Sequence, residues 1–93
     1  MNEDVVQYIQ AWIRKAQHDL RSVEILLGCE EEDKPYDAVC FHCQQAAEKY
    51  LKAYLVFLDV DFPPTHNLAR LIELGLGQDP EMRGLTYAGI LTP

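Results

Sequence analysis

The sequence predicts an all-α fold, an up-and-down helical bundle in which two long antiparallel helices are followed by shorter C-terminal helices. Apolar residues recur at three-and-four spacing over two long stretches, as they do along one face of an α-helix. Prolines, glycines and acidic residues separate these stretches, and no stretch alternates apolar and polar residues as a strand would. A chain of 93 residues has room for a single domain, predicted over residues 1–93.

The first helix is predicted from Asp4 to Leu27. Asp4 has the side chain of an N-cap residue, and Gly28 would end the helix. Its apolar positions form one continuous stripe, which we expect to face the rest of the protein. The stripe consists of Ile9, Trp12, Ile13, Ala16, Leu20, Val23 and Leu27. The acidic segment that follows, Cys29 to Lys34, is expected to be a solvated loop.

The second helix is predicted from Pro35 to Leu58, because proline is tolerated in the first turn of a helix. It carries two apolar rows. The first row is Val39, Cys43, Ala46, Tyr50, Ala53 and Phe57, and the second is Ala47, Leu51, Leu55 and Leu58. A helix with two apolar rows has neighbours on two sides, so we expect this helix to be central and to pair with the first as an antiparallel hairpin.

Strong helix breakers divide the rest of the chain. Two prolines and two aspartates between Asp59 and Pro64 cannot continue the second helix. Thr65 is the predicted N-cap of a third helix that ends near Gly75 to Gly77. Its inward residues would be Leu68, Leu71 and Ile72. Asp79 and Pro80 are start signals for a fourth helix, predicted to about Leu91.

Composition excludes several classes of protein. Eight basic and 15 acidic residues give a formal net charge of −7, whereas binding to nucleic-acid phosphates requires a basic surface. No apolar run approaches the roughly 20 residues that span a bilayer, and the acidic N-terminus lacks the basic start of a secretory signal. Three cysteines without a disulfide spacing favour a reducing compartment. We therefore expect a cytoplasmic protein that does not bind membranes. The charge disfavours nucleic acid as a partner, although Arg14, Lys15 and Arg21 on the first helix and Lys49 and Lys52 on the second leave room for a local basic patch.

Five polar residues of the second helix and the following loop are the candidate ligand-binding residues. They are Gln45, Glu48, Lys49, Lys52 and His66. Those on the second helix lie between its two apolar rows, a more confined place than an open helix face. The i, i+4 step from Glu48 to Lys52 favours an intrahelical ion pair, and the same groups could contact a nucleotide or a partner protein. His66 could hydrogen-bond a carboxylate such as Glu48, or help to hold an anion at a helix start.

The segment Cys40-Phe-His-Cys43 resembles half of a zinc site or a redox motif. Structural zinc needs four ligands, and a second pair at a suitable spacing is absent from the sequence. The redox motif is expected near a strand-to-helix junction, which is not predicted here. Cys43 belongs to an apolar row, so we expect it to be a small core residue. No metal site and no cofactor are predicted.

Three segments together resemble the HEPN domain family. They are Trp12, Ala16 and Asp19-Leu20, then Gln44-Gln-Ala-Ala-Glu-Lys-Tyr-Leu-Lys-Ala53, and Pro64-Thr-His-Asn-Leu68. The family consists of small helical domains proposed to bind nucleotides. The resemblance implies a homodimer and frequent pairing with a small nucleotidyltransferase, often as a toxin–antitoxin couple. It also implies a further C-terminal helix, which this sequence would lack.

Ribonuclease members of the wider HEPN superfamily carry an arginine separated from a later histidine by four to six residues. Arg14 and His18 are separated by three residues, and neither Arg70 nor Arg83 precedes a histidine. The sequence therefore favours a homodimeric module that acts with a nucleotidyltransferase and binds a nucleotide, without catalysis of its own. The alternative is a metal-independent endoribonuclease toxin, in which histidine would move the 2′-OH proton and arginine would stabilise the phosphorane.

Overall fold

Three α-helices form the part of the chain that the structure, a computed structural model, describes, namely residues 1–30 and 32–83. They are α1 (Glu3–Leu27), α2 (Tyr36–Phe57) and α3 (Leu68–Leu76), and a short 3₁₀ turn follows at residues 80–83. The all-α prediction is confirmed. The rest of the predicted fourth helix, as far as Leu91, lies outside the described residues. Across the described ranges, no helix has both the length and the apolar content needed to cross a bilayer.

The two long helices pack against each other as an antiparallel hairpin. Asp19, in the second half of α1, contacts His42 in the first half of α2, whereas Trp12 lies against Lys52 further along α2. At 1.5 Å per residue the two helices are about 37 and 33 Å long. The short α3 packs on α2, so α2 is the central element, as its two apolar rows predicted.

The core is made of small residues between α1 and α2 and of larger ones between α2 and α3. Ala16, Ala46 and Ala53 are buried, and their short side chains allow the two long helices to approach closely. The largest fully buried side chains are Leu55, Leu68, Leu71 and Ile72. A Cβ added to the buried Gly75 would meet the side chain of Met82 and, at 3.3 Å, that of Leu55. Gly75 thus lets the segment after α3 fold back towards α2.

Several residues of the predicted apolar stripes are exposed. Cys43 was expected in the core and is exposed, and the same holds for Leu20, Leu27, Tyr50 and Phe57. On α2, the contact with α1 is centred on the side that carries Ala46, Lys49 and Ala53. The residues of the first apolar row that point away from this side lie at the edge of the contact. The stripes on both long helices are therefore wider than the surfaces that the hairpin buries.

Two helix starts differ from the predicted caps. Asn2, not Asp4, caps α1, and its Oδ1 accepts a hydrogen bond from the backbone of Val5 at 2.9 Å. Asn67, not Thr65, caps α3, and Thr65 Oγ1 instead accepts from the Asn67 backbone at 3.1 Å. Asn2 is as good a capping residue as Asp4, and Asn67 is a better one than Thr65. Pro35 precedes α2 as its N-cap residue instead of lying in its first turn.

The C-terminus of α2 is closed by a Schellman motif that contains aspartate where glycine is usual. The backbone N–H of Val60 donates to Leu55 O at 2.9 Å, and that of Asp59 donates to Val56 O at 3.0 Å. Asp59 has a φ of 59°, the only positive φ of a non-glycine residue among the described residues. This conformation is unfavourable for most L-residues and easiest for glycine. The helix therefore ends by a specific turn before the two prolines are reached.

The left-handed backbone conformation of Asp59 should determine how substitutions at this position change the free energy of unfolding. Asp59→Gly should be the most stable variant and Asp59→Ala the least, with about 1 kcal/mol between their free energies of unfolding, because only alanine carries a Cβ without a helping polar group. Urea denaturation followed by circular dichroism measures the difference.

Asp61 provides the matched control, because it is exposed in the same loop and has no positive φ. There Asp61→Gly should be less stable than Asp61→Ala, since glycine increases the entropy of the unfolded chain. The same order at both positions would contradict the role assigned to Asp59.

Candidate functional site

A first group of polar side chains, the Asp19 cluster, joins α1 to α2 and consists of Asp19, His42 and Lys49. Asp19 is buried on α1. Its Oδ1 lies 2.9 Å from Nδ1 of His42, and its Oδ2 accepts a short hydrogen bond from Nζ of Lys49. An ionised carboxylate can only accept, so Nδ1 of His42 carries the proton. His42 and Lys49 are two helical turns apart on α2, which allows one carboxylate to bridge them.

The surroundings of Asp19 favour its charged form. Burial alone would raise the pKa of Asp19, but the hydrogen bonds from Lys49 and His42, together with their charges, outweigh it. They hold the pKa below its ordinary value of 3.8. The carboxylate is therefore ionised at neutral pH and acts as an electrostatic link between the two long helices.

A second group, the Glu48 cluster, joins α2 to the loop that precedes α3 and consists of Glu48, Lys52 and His66. Nζ of Lys52 donates to Oε2 of Glu48 at 3.2 Å, and Nδ1 of His66 lies 3.0 Å from Oε1 of the same carboxylate. The first contact is the i, i+4 ion pair that the sequence favours, and the second corresponds to one of the two roles open to His66. Only 3% of the Glu48 side chain and 6% of the Lys52 side chain are exposed, whereas 80% of His66 is.

Aromatic rings surround the buried ammonium group of Lys52. Its Nζ lies 5.1 Å from the centre of the Trp12 ring and 5.9 Å from that of Phe62. The two rings meet edge to face at 6.3 Å, and Lys15 approaches the Trp12 ring at 4.9 Å. Cation–π contacts of this kind offset part of the loss of hydration of a buried lysine. The Glu48 cluster therefore reaches α1 through Trp12 and the loop through Phe62.

The five predicted binding residues do not form one open site. Lys49 belongs to the Asp19 cluster, Glu48, Lys52 and His66 form the Glu48 cluster, and Gln45 is half-buried outside both. Most of the polar atoms are already paired with one another. His66 is the member of the Glu48 cluster that a ligand can reach without displacing the buried ion pair.

Two contributors to these clusters, Asp19 and His42, were not predicted from the sequence. Asp19 lies seven residues after Trp12 and three after Ala16, so it falls on the apolar stripe of α1. A carboxylate inside an apolar stripe needs a partner, and this is the signal that could have identified it. In the sequence, His42 stands out only as part of the Cys40–Cys43 segment.

The Cys40–Cys43 segment is not arranged as a metal site in the described residues. No group of three or more potential metal ligands is found within residues 1–30 and 32–83. Cys40 and Cys43 are exposed on α2, and Cys29 is half-buried near the end of α1. His42, between the two cysteines, is hydrogen-bonded to Asp19. The segment therefore contributes His42 to helix packing.

Removal of one member of the buried Glu48–Lys52 pair should strongly destabilise the protein. Lys52→Met leaves a buried carboxylate with only His66 as a partner, and Glu48→Gln leaves a buried ammonium group without its counter-ion. Each change is expected to lower the free energy of unfolding by about 3 kcal/mol, and the double variant by clearly less than the sum. Urea denaturation of all four proteins measures the coupling.

The exposed pair Arg21–Glu24, joined at 3.0 Å with side chains 70% and 69% exposed, is the control. Arg21→Gln and Glu24→Gln should each change the free energy of unfolding by no more than about 0.5 kcal/mol. Equal effects at the buried and the exposed pair would contradict the importance of burial.

Asp19→Asn should remove the part of the unfolding free energy that the Asp19 carboxylate contributes at neutral pH and loses at acid pH. The pKa of Asp19 is lowered in the folded state, so its contribution is present above the unfolded value, near pH 4, and is lost as the pH falls through the folded pKa. Asparagine does not titrate. The difference in unfolding free energy between wild type and Asp19→Asn should therefore shrink from pH 6 to pH 2 in urea titrations. A difference that stays constant over this range would be evidence against the assigned pKa shift.

Comparison with known proteins identifies the family. The HEPN domain family model matches residues 9–84, which include both polar clusters, all of α2 and α3, and most of α1. No curated protein and no solved structure shows a significant match. The match covers well over half of the chain and agrees with the motifs around Trp12, Gln44–Ala53 and Pro64–Leu68. The chain belongs to the HEPN domain family.

Proposed function

We propose that this protein is a HEPN module that works as a homodimer and acts with a small nucleotidyltransferase in a toxin–antitoxin couple. Membership of the HEPN family supports the general type of module. The homodimer and the partner are what the resemblance to this family implies. The surface of the hairpin provides an independent physical reason to expect association with another protein.

The observation that carries the proposal is an apolar groove between α1 and α2, on the edge of the hairpin. Its volume is about 240 Å³, and its lining is almost entirely apolar. The lining residues are Ile9, Ile13, Tyr50, Ala53, Tyr54 and Phe57. Phe57 is 57% exposed, and its ring stacks on that of Tyr54 at 6.0 Å. Contiguous apolar surface with aromatic anchors is typical of protein interfaces.

The groove is held in a fixed shape. Tyr54 donates a hydrogen bond from its hydroxyl group to Oδ2 of Asp79 at 2.6 Å, which fixes the ring and raises the pKa of Tyr54. Ala53 is buried at the base of the groove and belongs to the α1–α2 core. A preformed surface loses little conformational entropy on binding. These features suit the groove to a second copy of the chain.

The ribonuclease alternative gains no support from the described residues. Arg14 and His18 are both exposed on α1 and are not members of either polar cluster. Neither takes part in a hydrogen bond with the Asp19 or Glu48 cluster. A non-catalytic module fits this arrangement better than a catalyst.

The nucleotide is proposed to bind at His66, beside the N-terminus of α3. Glu48 orients the imidazole ring from behind, and the exposed ring can contact a ligand. Gln45 and Lys49 precede and follow Glu48 along α2, and the buried Glu48–Lys52 pair holds the imidazole ring in place. An ATP titration followed by NMR should show saturable binding that His66→Ala weakens and His18→Ala does not. Equal binding by both variants would place the nucleotide elsewhere.

Phe57→Glu should convert the proposed dimer into a monomer. A carboxylate in the apolar groove would be desolvated on association, so the dimer dissociation constant should rise by about 30-fold or more, the size of a typical hot-spot effect. Size-exclusion chromatography with light scattering measures the mass. Ile25→Glu, which adds the same charge at an exposed α1 position outside the groove, should leave the dimer intact.

The nucleotidyltransferase part of the proposal is tested by co-purification with the product of an adjacent nucleotidyltransferase gene. We expect a stable complex with the wild-type protein. A monomeric wild type would contradict the homodimer, whereas a dimer that fails to retain the nucleotidyltransferase would contradict the partner.

A further inference from the structure

A second cavity, which the proposed function does not use, lies at the end of the hairpin where α1 begins and α2 ends. Its volume is about 420 Å³, within the range of sites that hold small molecules or single side chains. It is lined by Val5, Tyr8, Val56, Asp59, Val60, Asp61 and Phe62. The cavity therefore combines the first turns of α1 with the Schellman loop of α2.

The lining has a distinctive chemistry. Three valines and Phe62 give it apolar walls, Tyr8 contributes a half-exposed aromatic ring, and Asp59 and Asp61 contribute carboxylates. Neither carboxylate forms a hydrogen bond or an ion pair with another residue in the described ranges. Two carboxylates beside apolar and aromatic groups favour an occupant with a cationic head and an apolar stem.

The turn that ends α2 places Asp59 in this lining. The residue occupies a left-handed backbone conformation that glycine would adopt more easily, so a side chain is present at the cavity despite a conformational cost. Here the cost places a carboxylate in the lining of the cavity.

We propose that this cavity binds an arginine side chain of a partner protein. A guanidinium group can bind carboxylates through two parallel N–H···O bonds and can stack on Tyr8, while its methylene stem contacts the valines. The planar fork suits a pair of carboxylates better than the point charge of lysine. Phosphate groups would be repelled. A second copy of this chain is a poor source of the arginine, because its net charge is also −7.

This inference does not depend on the homodimer or on the nucleotidyltransferase. The cavity and the apolar groove share no lining residue. A failure of one proposal therefore leaves the other unaffected.

The probe is N-acetylarginine amide, titrated into the ¹⁵N-labelled full chain and followed by NMR. We expect saturable shifts of the backbone signals of Tyr8, Val60 and Phe62, with a dissociation constant on the order of millimolar for so small a ligand. N-acetylcitrulline amide, which has nearly the same shape without the charge, should bind at least about fivefold more weakly. Equal binding of the two probes, or equal binding of N-acetyllysine amide, would overturn the assignment.

A pair of double variants separates a specific site from general attraction to an acidic protein. Asp59→Asn with Asp61→Asn should weaken the arginine probe by roughly three- to tenfold. Asparagine adopts the left-handed conformation as readily as aspartate, so the Schellman turn is retained. Glu32→Gln with Asp33→Asn removes two charges from the other exposed acidic loop and should leave binding unchanged. An equal loss in both double variants would show that only net charge matters, and the proposal would be wrong.

Discussion

The buried Glu48–Lys52 ion pair is the constraint on which the rest of the fold depends. Lys52 contacts Trp12 of α1 and Phe62 of the loop, and Glu48 accepts from His66 before α3. Two buried charges are tolerable only when every one of these partners is in place, because an incomplete polar network costs more than an apolar core. The pair therefore makes the position of α1, the loop and the start of α3 mutually dependent.

Local rules predicted the helices well and the burial poorly. The breakers at Gly28, Pro35 and Asp59 placed the helix ends within a residue or two, and the i, i+4 spacing predicted the contact between Glu48 and Lys52. Burial of that pair depends on how α1 and the loop pack against α2. The spacing of residues on one helix carries no information about that packing. The caps were misassigned because Asn2 and Asn67 compete with neighbouring side chains of the same capping type. Asp19 was missed for the same reason as the buried pair, since its partners lie 23 and 30 residues away.

The hairpin buries small and polar side chains and leaves several aromatic ones exposed. Ala16, Ala46 and Ala53 are buried together with Asp19, Glu48 and Lys52, whereas Tyr8, Phe41, Tyr50 and Phe57 are exposed. Apolar area removed from water contributes roughly 25 cal/mol per Å², so alanines stabilise the hairpin much less than aromatic side chains would. The exposed aromatic side chains thus offer the largest apolar area that association with another protein could still remove from water. The polar clusters fix the alignment of the helices, and the aromatic residues are left for association.

The two cavities lie on opposite flanks of the same helical stripe. With 100° between successive residues, Val5 and Tyr8 fall on one side of Ala16, and Ile9 and Ile13 fall on the other. The groove on one flank is apolar, and the cavity on the other includes two carboxylates. Binding would therefore be driven by apolar burial in the first and by charge attraction in the second. Salt screens the attraction of an exposed cation to the carboxylates but has little effect on apolar burial. The apolar flank is the surface for the proposed self-association and the acidic flank that for the proposed basic partner, so added salt should weaken mainly the second contact.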